Sequence, residues 1–311
     1  MSDSSWVVVC PGQGAQAIGM GRAWRESHPA ARAVFDEADE VLGDRLGAPL
    51  SAICADGPAD RLNQTDVAQP ALYTCGVACF RALAAEHGEL SIAAAAGLSL
   101  GEYTALHLAG AFSFADGLEI VTERGRLMQE AAVASAGGMV ALIGADEDQA
   151  DEVCEKARDA DVLVPANYNA PGQIVLSGHA TACERAAAIA SDAGLRATVL
   201  TVAGAFHSPL MQPAADQLAD ELAERSFSPL TVPVWSNVTG ERHDPAEMEL
   251  LKQKLVEQIV APVRWAQSCS AMAESLGEGT IAWHEMAPGA VLRGLMRRID
   301  RSTKVTSHDT P

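Results

Sequence analysis

Gly97-Leu98-Ser99-Leu100-Gly101 follows directly after a run of small apolar residues at 92–96. This Gly-x-Ser-x-Gly pattern is typical of a nucleophile elbow, in which a strand turns sharply into a helix and leaves the serine oxygen exposed at the edge of a sheet. Glycines flank the serine because a Cβ would clash in so tight a bend. The residues at 102–111 predict the helix, and Glu102 lies in its first turn, where negative charge is favoured.

The same five-residue pattern also arises by chance in a chain with 26 glycines. The predicted strand before Ser99 and the predicted helix after it argue against chance. We therefore take Ser99 as the candidate nucleophile of an α/β fold.

A second predicted strand, Trp6–Cys10, runs into the loop Pro11-Gly-Gln-Gly-Ala-Gln16, and helical spacing follows at 22–42. The loop is similar to a dinucleotide-binding fingerprint, but that motif needs a second strand that ends in an acidic residue about 20 residues later. Only helical sequence lies there, which argues against a nucleotide site. Gln13, between two glycines, is instead expected in a loop whose backbone amides approach a ligand closely.

The pattern of predicted elements changes at 138–202, which follows the order β-α-β-β-α-β of a ferredoxin-like unit. The predicted strands there are 139–143, 162–168, 173–177 and 197–202, and the predicted helices are 147–159 and 181–193. We expect a small α+β domain at 138–202, inserted in a large hydrolase-like α/β domain of residues 1–130 and 204–311 with a parallel sheet at its core. Further strands of the large domain are predicted at 232–235 and 281–286. A cleft between two such domains is a common place for a ligand.

Composition limits the possible partners of the 311-residue chain. Its formal net charge of −19 argues against nucleic acid, because binding phosphate backbones requires a positive surface. No apolar run approaches the roughly 20 residues that cross a bilayer, and the first five residues carry acid where a signal peptide carries base. We therefore expect a cytoplasmic enzyme without a membrane partner.

Basic residues are nevertheless concentrated near the C-terminus, at Arg293, Arg297, Arg298, Arg301 and Lys304. Such a cluster suits an acidic partner that docks through a local patch. The alternative is a solvated helix face with cations near the helix C-terminus.

The cysteines and histidines give no indication of a metal site. The seven cysteines are scattered, with no Cys-x-x-Cys pair and no clustered histidines that could complete a ligand set. Cys75 and Cys79 share a helix face, but their small apolar neighbours indicate core packing. We expect reduced, mostly buried thiols and no metal.

One of the eight histidines stands in a special position. The other seven lie in polar loops, in helices or at the tail, where we interpret most as incidental: His28, His87, His107, His179, His243, His284 and His308. His207 is followed by Ser208 as an apparent N-cap and by Pro209 at the first helical position. The positive end of that helix is expected to favour the neutral, basic imidazole at pH 7.

An ordinary α/β-hydrolase fits this arrangement poorly. In that fold the histidine comes late, after the acid of the triad. About a hundred residues follow His207, including two more predicted strands. A different serine architecture is therefore needed.

Seven short stretches, spread over nearly the whole chain, together form a recognisable pattern. They are Pro11-Gly-Gln-Gly-Ala-Gln16, Gly97-Leu-Ser-Leu-Gly-Glu102, Arg124-Gly-Arg-Leu-Met-Gln129, Asn167-Tyr-Asn-Ala-Pro-Gly-Gln173, Gly204-Ala-Phe-His207, Gln258-Ile-Val-Ala-Pro-Val263 and Pro288-Gly-Ala-Val-Leu292. In these stretches the chain resembles the malonyl-CoA:acyl carrier protein transacylases of bacterial fatty acid synthesis (the FabD type) and, more distantly, the acyltransferase domains of polyketide synthases.

The resemblance implies a role for each residue that matches a family motif. Ser99 corresponds to the nucleophile and His207 to its general base and acid. The family orients this histidine with a main-chain carbonyl, here that of Gln258, and so has no acidic triad member. The amides of Gln13 and Leu100 correspond to the oxyanion hole, in agreement with the rule that the residue after the nucleophile donates one amide.

Substrate recognition is implied for Arg124, which matches the arginine that holds the free carboxylate of malonate. A planar guanidinium can take a carboxylate through two parallel hydrogen bonds. Without the resemblance, the sequence does not choose between Arg124 and Arg126. Phe206 resembles the residue that limits room around the α-carbon in malonyl-specific members. The family usually has histidine where this chain has Leu98, which puts acyl specificity or rate in doubt more than the reaction type, and Ala287 replaces a glycine.

The activity implied is transfer of a malonyl group from malonyl-CoA to the phosphopantetheine thiol of acyl carrier protein through a malonyl-serine intermediate. The resemblance implies no bound cofactor, and it suggests a monomer. Three alternatives stay open: a serine thioesterase or acyl hydrolase, a polyketide-type acyltransferase with a different acyl-CoA preference, and a catalytically silent docking module.

Overall fold

Two β-sheets organise the chain. The computed structural model describes residues 5–88, 90–277 and 281–311, so most of the acidic start considered above lies outside the described residues. The strands are β1 (Trp6–Cys10), β2 (Ile92–Gly97), β3 (Gly137–Ile143), β4 (Leu163–Ala170), β5 (Gln173–His179), β6 (Arg196–Val199), β7 (Ala282–Glu285) and β8 (Val305–Ser307). The helices are α1 (Arg22–Ser27), α2 (Pro29–Leu42), α3 (Leu50–Asp56), α4 (Ala59–Leu62), α5 (Thr65–His87), α6 (Leu100–Leu108), α7 (Phe114–Ala134), α8 (Glu147–Arg158), α9 (Ala180–Asp192), α10 (Gln212–Ala223), α11 (Met248–Glu257), α12 (Trp265–Leu276) and α13 (Val291–Ile299).

The first sheet is parallel and has the strand order β2-β1-β7-β8. Its inner strand β1 is buried along its whole length, as expected for a β-branched strand covered on both faces. In the register of β1 and β2, Cys10 lies opposite Gly97, so the loop after β1 and the elbow after β2 leave the sheet at the same edge.

The second sheet is antiparallel, with the order β4-β5-β3-β6. Together with α8 and α9 it follows the predicted sequence of elements β-α-β-β-α-β, and its helices enclose an apolar cluster that includes Val140, Leu142 and Leu176. The structure confirms the predicted fold class, a mixed α/β protein with a parallel sheet and a second, antiparallel sheet. The domain boundaries at 1–130, 138–202 and 204–311 stay predictions.

Two predicted elements are interrupted in the structure, and a proline contributes to both interruptions. The single helix predicted at 22–42 is split into α1 and α2, because His28 precedes Pro29 and adopts an extended backbone. The strand predicted at 232–235 forms only isolated bridges, from Val234 to Ala95 and from Trp235 to Arg242. Pro233 within it has no N–H with which to extend a ladder.

The elbow itself has the predicted sharp geometry. Ser99 adopts a φ of 52°, a left-handed conformation that is rare for residues other than glycine. A Cβ on Gly97 would meet the backbone of Gly101, and a Cβ on Gly101 would meet the carbonyl of Cys10. Only glycine fits at either position, which explains the spacing of the motif. Helix α6 begins at Leu100, two residues earlier than predicted, and ends at Leu108.

The long helices α5 and α7 pack against each other and bring side chains to the elbow. Gln69 lies on α5 and Arg124 on α7, and both are buried. Within the described ranges, no helix is both long enough and apolar enough to span a bilayer.

Candidate active site

A cleft of about 730 Å³ opens beside the elbow. Its wall includes residues of the antiparallel sheet, such as Met139 and Val175, and residues that follow β1 and β2 of the parallel sheet. Six of the predicted site residues line it: Gln13, Ser99, Leu100, Arg124, Phe206 and His207. The seventh, Gln258, is buried and contacts this group from behind.

Ser99 and His207, 108 residues apart in the chain, are in hydrogen-bond contact. The Ser99 Oγ lies 2.9 Å from His207 Nε2, and His207 Nδ1 lies 2.7 Å from the main-chain oxygen of Gln258. Because a carbonyl oxygen can only accept, Nδ1 carries the proton and Nε2 of the neutral ring accepts from the serine hydroxyl. The arrangement therefore has the geometry of a nucleophile, a base and an orienting group.

The imidazole of His207 is held in the neutral form. Burial, followed by the positive charge of Arg124, lowers the pKa of His207 to about 4, and the hydrogen bond to Gln258 opposes this shift only in part. This direction agrees with the neutral state expected from the sequence. The helical turn expected after His207 is present at Pro209–Met211 and continues into α10, and the contribution expected from its positive end stays a prediction.

Arg124 is a buried guanidinium that faces the nucleophile. Its Nη1 donates to Gln69 Oε1 at 2.6 Å, and its Nη2 donates to Gln258 Oε1 at 2.8 Å and to Ser99 Oγ at 3.2 Å. No carboxylate forms an ion pair with it in the part of the chain that the structure describes. A buried cation without a counter-ion is costly, and burial lowers its pKa. The site is therefore suited to an incoming anion.

Arg126, the alternative left open by the sequence, lies on the exposed side of α7. Its guanidinium forms ion pairs with Glu123 and Glu130. Burial and orientation thus favour Arg124.

The two predicted oxyanion donors lie in the cleft beside Ser99. Leu100 is the first residue of α6, so its N–H has no acceptor within the helix. Gln13 lies in the loop after β1, where its side chain donates to Thr65 at 3.3 Å. Both positions suit amides that stabilise negative charge on a reacting oxygen.

Apolar side chains form the wall on either side of the serine. Phe206 is buried and lines the cleft next to His207. Leu98 lines it next to Ser99 and packs against a cluster that includes Leu292 and Leu295. The wall beside the serine is therefore apolar at the position where the family usually has histidine.

Three buried residues at the site were not predicted as functional. Glu102 accepts from the side chains of His243 and Gln258 and from the backbone N–H of Asn237. His243 was interpreted as an incidental histidine, yet it is buried and 2.7 Å from this carboxylate. The only sequence signal was Glu102 itself, which follows the elbow pentapeptide directly. Glu102 and His243 are 141 residues apart in the chain, so no local sequence pattern indicates that they form a pair.

The expectations about cysteine and metal chemistry can be compared with the described residues. All seven cysteines are free and buried. No group of three or more histidine, cysteine, aspartate or glutamate side chains in 5–88, 90–277 and 281–311 is arranged to hold a metal ion.

Comparisons with known proteins identify relatives along almost the whole chain. The sequence model of the acyl transferase domain matches residues 7–305. The malonyl CoA-acyl carrier protein transacylase of Escherichia coli O157:H7 is 41% identical over 297 residues, which cover 95% of this chain and 93% of the relative. The crystal structure of malonyl-CoA:acyl carrier protein transacylase (FabD) from Xanthomonas oryzae pv. oryzae has a TM-score of 0.91 and 42% identity, covering 100% of this chain and 96% of that one.

A further solved structure contains a type II polyketide synthase acyl carrier protein in complex with its malonyl-transacylase. It has a TM-score of 0.92 and 36% identity to this chain, and it covers 99% of this chain and 97% of that one. The match of the domain model over almost the whole length, together with these full-length similarities, shows that this chain belongs to the acyl transferase domain family.

Proposed function

We propose that this acyltransferase moves a malonyl group from malonyl-CoA to the phosphopantetheine thiol of an acyl carrier protein. The observation that carries the proposal is the position of the buried guanidinium of Arg124, which has no carboxylate partner among the described residues. Its Nη2 lies 3.2 Å from a serine hydroxyl that is bonded to a neutral histidine. The names of the three relatives described above contain both malonyl and acyl carrier protein, and they support the same substrate and acceptor.

The first half-reaction loads the serine. The Ser99 Oγ attacks the thioester carbonyl carbon while His207 Nε2 takes the hydroxyl proton, and the amides of Gln13 and Leu100 stabilise the oxyanion. The carbon–sulfur bond then breaks, and His207 returns the proton to the CoA sulfur. A malonyl-serine ester remains.

The second half-reaction reverses the first with a different thiol. The phosphopantetheine thiol of the carrier gives its proton to His207 and attacks the ester, and the released Ser99 oxygen regains a proton from the histidine. Because one product leaves before the second substrate enters, the kinetics are ping-pong. Ser99, His207, Arg124 and the amides of Gln13 and Leu100 supply the groups that this proposed reaction uses, and none of its steps involves a cofactor.

Selectivity for malonyl units follows from two neighbours of the serine. Arg124 can take the free carboxylate through two parallel hydrogen bonds. Phe206 restricts space beside the acyl α-carbon, which disfavours methylmalonyl units. We further propose that the protein is a cytoplasmic monomer. We also propose that residues 138–202 form a domain inserted in the large domain.

Hydrolysis of the ester is the principal rival, since water and carrier thiol differ only as acceptors. We expect CoA release from malonyl-CoA to stop after about one equivalent per enzyme without carrier and to become catalytic when holo acyl carrier protein is added. A thiol-reactive dye follows the released CoA. Continuous release without carrier would instead identify a thioesterase.

The pH dependence of Ser99 reactivity tests the state of the base. Since the pKa of His207 is about 4, an uncharged serine-reactive organophosphate should modify Ser99 at a nearly constant rate between about pH 5 and pH 8, and more slowly below. Circular dichroism at each pH verifies that the protein is folded. A rate that falls with a midpoint near 6.5, the ordinary value for histidine, would contradict the assignment.

A further inference from the structure

A buried carboxylate lies behind the nucleophile without touching it. Glu102 is 1% exposed, and its two oxygens accept three hydrogen bonds. Oε1 accepts from His243 Nε2 at 2.7 Å, and Oε2 accepts from Gln258 Nε2 at 2.7 Å and from the backbone N–H of Asn237 at 3.0 Å. We call Glu102, Asn237, His243 and Gln258 the Glu102 cluster.

One branch of the cluster leads to the nucleophile. Asn237, whose N–H binds Glu102, accepts from the backbone N–H of Ser99 through Oδ1 at 2.6 Å and donates through Nδ2 to the carbonyl of Gly97 at 2.7 Å. It therefore bonds both sides of the elbow. The left-handed backbone of Ser99 persists only where its surroundings fix it, and Asn237 supplies part of that restraint.

The other branch leads to the base and to the buried cation. The side-chain amide of Gln258 donates to Glu102, and its Oε1 accepts from Arg124 at 2.8 Å. The main-chain oxygen of the same residue accepts from His207 Nδ1. One residue thus couples the carboxylate to the orientation of both His207 and Arg124.

His243 is the third donor to the carboxylate and is anchored in the segment that carries Asn237. Its backbone N–H donates to Val234, and Trp235 forms a bridge with Arg242. Without the imidazole of His243, Oε2 of Glu102 would keep its two donors. The buried Oε1 would have lost the donor shown above. A buried carboxylate that lacks a donor moves or draws in water, and either response disturbs both branches.

We propose that Glu102 and His243 are positioning residues for acyl transfer. In Ser-His-Asp enzymes a carboxylate touches the histidine directly. Here no carboxylate contacts His207 among the described residues, and Glu102 acts one residue further out, through Asn237 on the serine and through Gln258 on the base and the arginine. This inference rests on the proposed function for its substrate but not for its geometry.

The test compares three variants of the Glu102 cluster with one control variant outside it. Glu102→Gln keeps the shape of the side chain and removes its negative charge. His243→Leu removes the hydrogen-bond donor to Glu102, and His243→Gln provides an amide donor in its place. His107→Leu is the control, because His107 lies on the same helix as Glu102 and has a comparable bond, from Nδ1 to the carbonyl of Phe112 at 3.0 Å. The readouts are the single-turnover rate of Ser99 acylation by malonyl-CoA and the rate of its modification by an uncharged organophosphate, both per folded molecule.

We expect Glu102→Gln and His243→Leu to lower both rates by about 10- to 100-fold, the scale of an ångström-sized misplacement. His243→Gln should recover most of the loss, whereas His107→Leu should lower only the melting temperature. Wild-type rates in both Glu102→Gln and His243→Leu would overturn the inference. Rates in His243→Gln as low as those in His243→Leu would also overturn it. If His243→Leu does not fold, Glu102→Gln and His243→Gln decide. If the wild-type protein reacts with the organophosphate but not with malonyl-CoA, the proposed function is refuted. The rates of organophosphate modification of the variants would then decide this inference alone.

Discussion

Ser99→Ala should leave a folded protein that no longer takes up a malonyl group from malonyl-CoA. Its hydroxyl contacts both His207 Nε2 and Arg124 Nη2, so the substitution removes the group that the proposed mechanism uses as nucleophile. Loss of a serine nucleophile of this kind lowers turnover by about 10⁴-fold or more. Incubation with radioactive malonyl-CoA, followed by precipitation of the protein, measures the loss.

Ser113→Ala is the matched control for this substitution. Ser113 is exposed, caps α7 by accepting from the N–H of Asp116, and is not among the residues that line the cleft. Its loss should lower the free energy of unfolding by about 1 kcal/mol and leave labelling intact. Labelling that persists in Ser99→Ala at another residue would defeat the assignment of the nucleophile.

Arg124→Met should change which acyl group is accepted. Methionine keeps an extended apolar side chain but offers no donor to the malonyl carboxylate, and truncating one partner of a buried charge pair costs several kcal/mol. We expect kcat/KM for malonyl-CoA to fall by about 10²- to 10³-fold and that for acetyl-CoA, which has no free carboxylate, to change far less. Steady-state transfer to acyl carrier protein with the two substrates measures the ratio.

The neighbouring arginine provides the control for Arg124. Arg126→Met breaks only exposed ion pairs with Glu123 and Glu130, so both substrates should be used as before. Arg124→Met should also raise the pKa of His207, because the charge of Arg124 is one cause of its lowering. Equal losses for malonyl- and acetyl-CoA would contradict a role in carboxylate recognition.

The features that the sequence predicts best are those with local causes. Gly97 and Gly101 are needed because a Cβ at either position would meet backbone, and that requirement is visible in the pentapeptide. The alternation of elements through 138–202 likewise identifies the antiparallel sheet, with boundaries correct to within a few residues apart from the end of β6. Hydrophobic periodicity and turn residues act over short stretches of chain, so a single sequence is enough to predict the elements that depend on them.

The features that the sequence does not predict without the family resemblance depend on distant partners. Arg124 and Arg126 are two residues apart and chemically alike, and only packing against α5 and Gln258 buries one of them. The pairing of His243 with Glu102 and the burial that lowers the pKa of His207 arise in the same way. No local pattern marks these contacts, because Arg124 and its two glutamine partners, like His243 and Glu102, are separated by 55 to 141 residues in the chain.

Peptide mapping of the wild-type protein after brief mixing with malonyl-CoA tests the central proposal most directly. We expect one malonyl group per molecule, located on the peptide that contains Ser99, and its transfer to holo acyl carrier protein when the carrier is added. A malonyl group attached to any other residue, or an unmodified Ser99 in protein that still transfers malonyl to the carrier, would contradict the proposed role of Ser99.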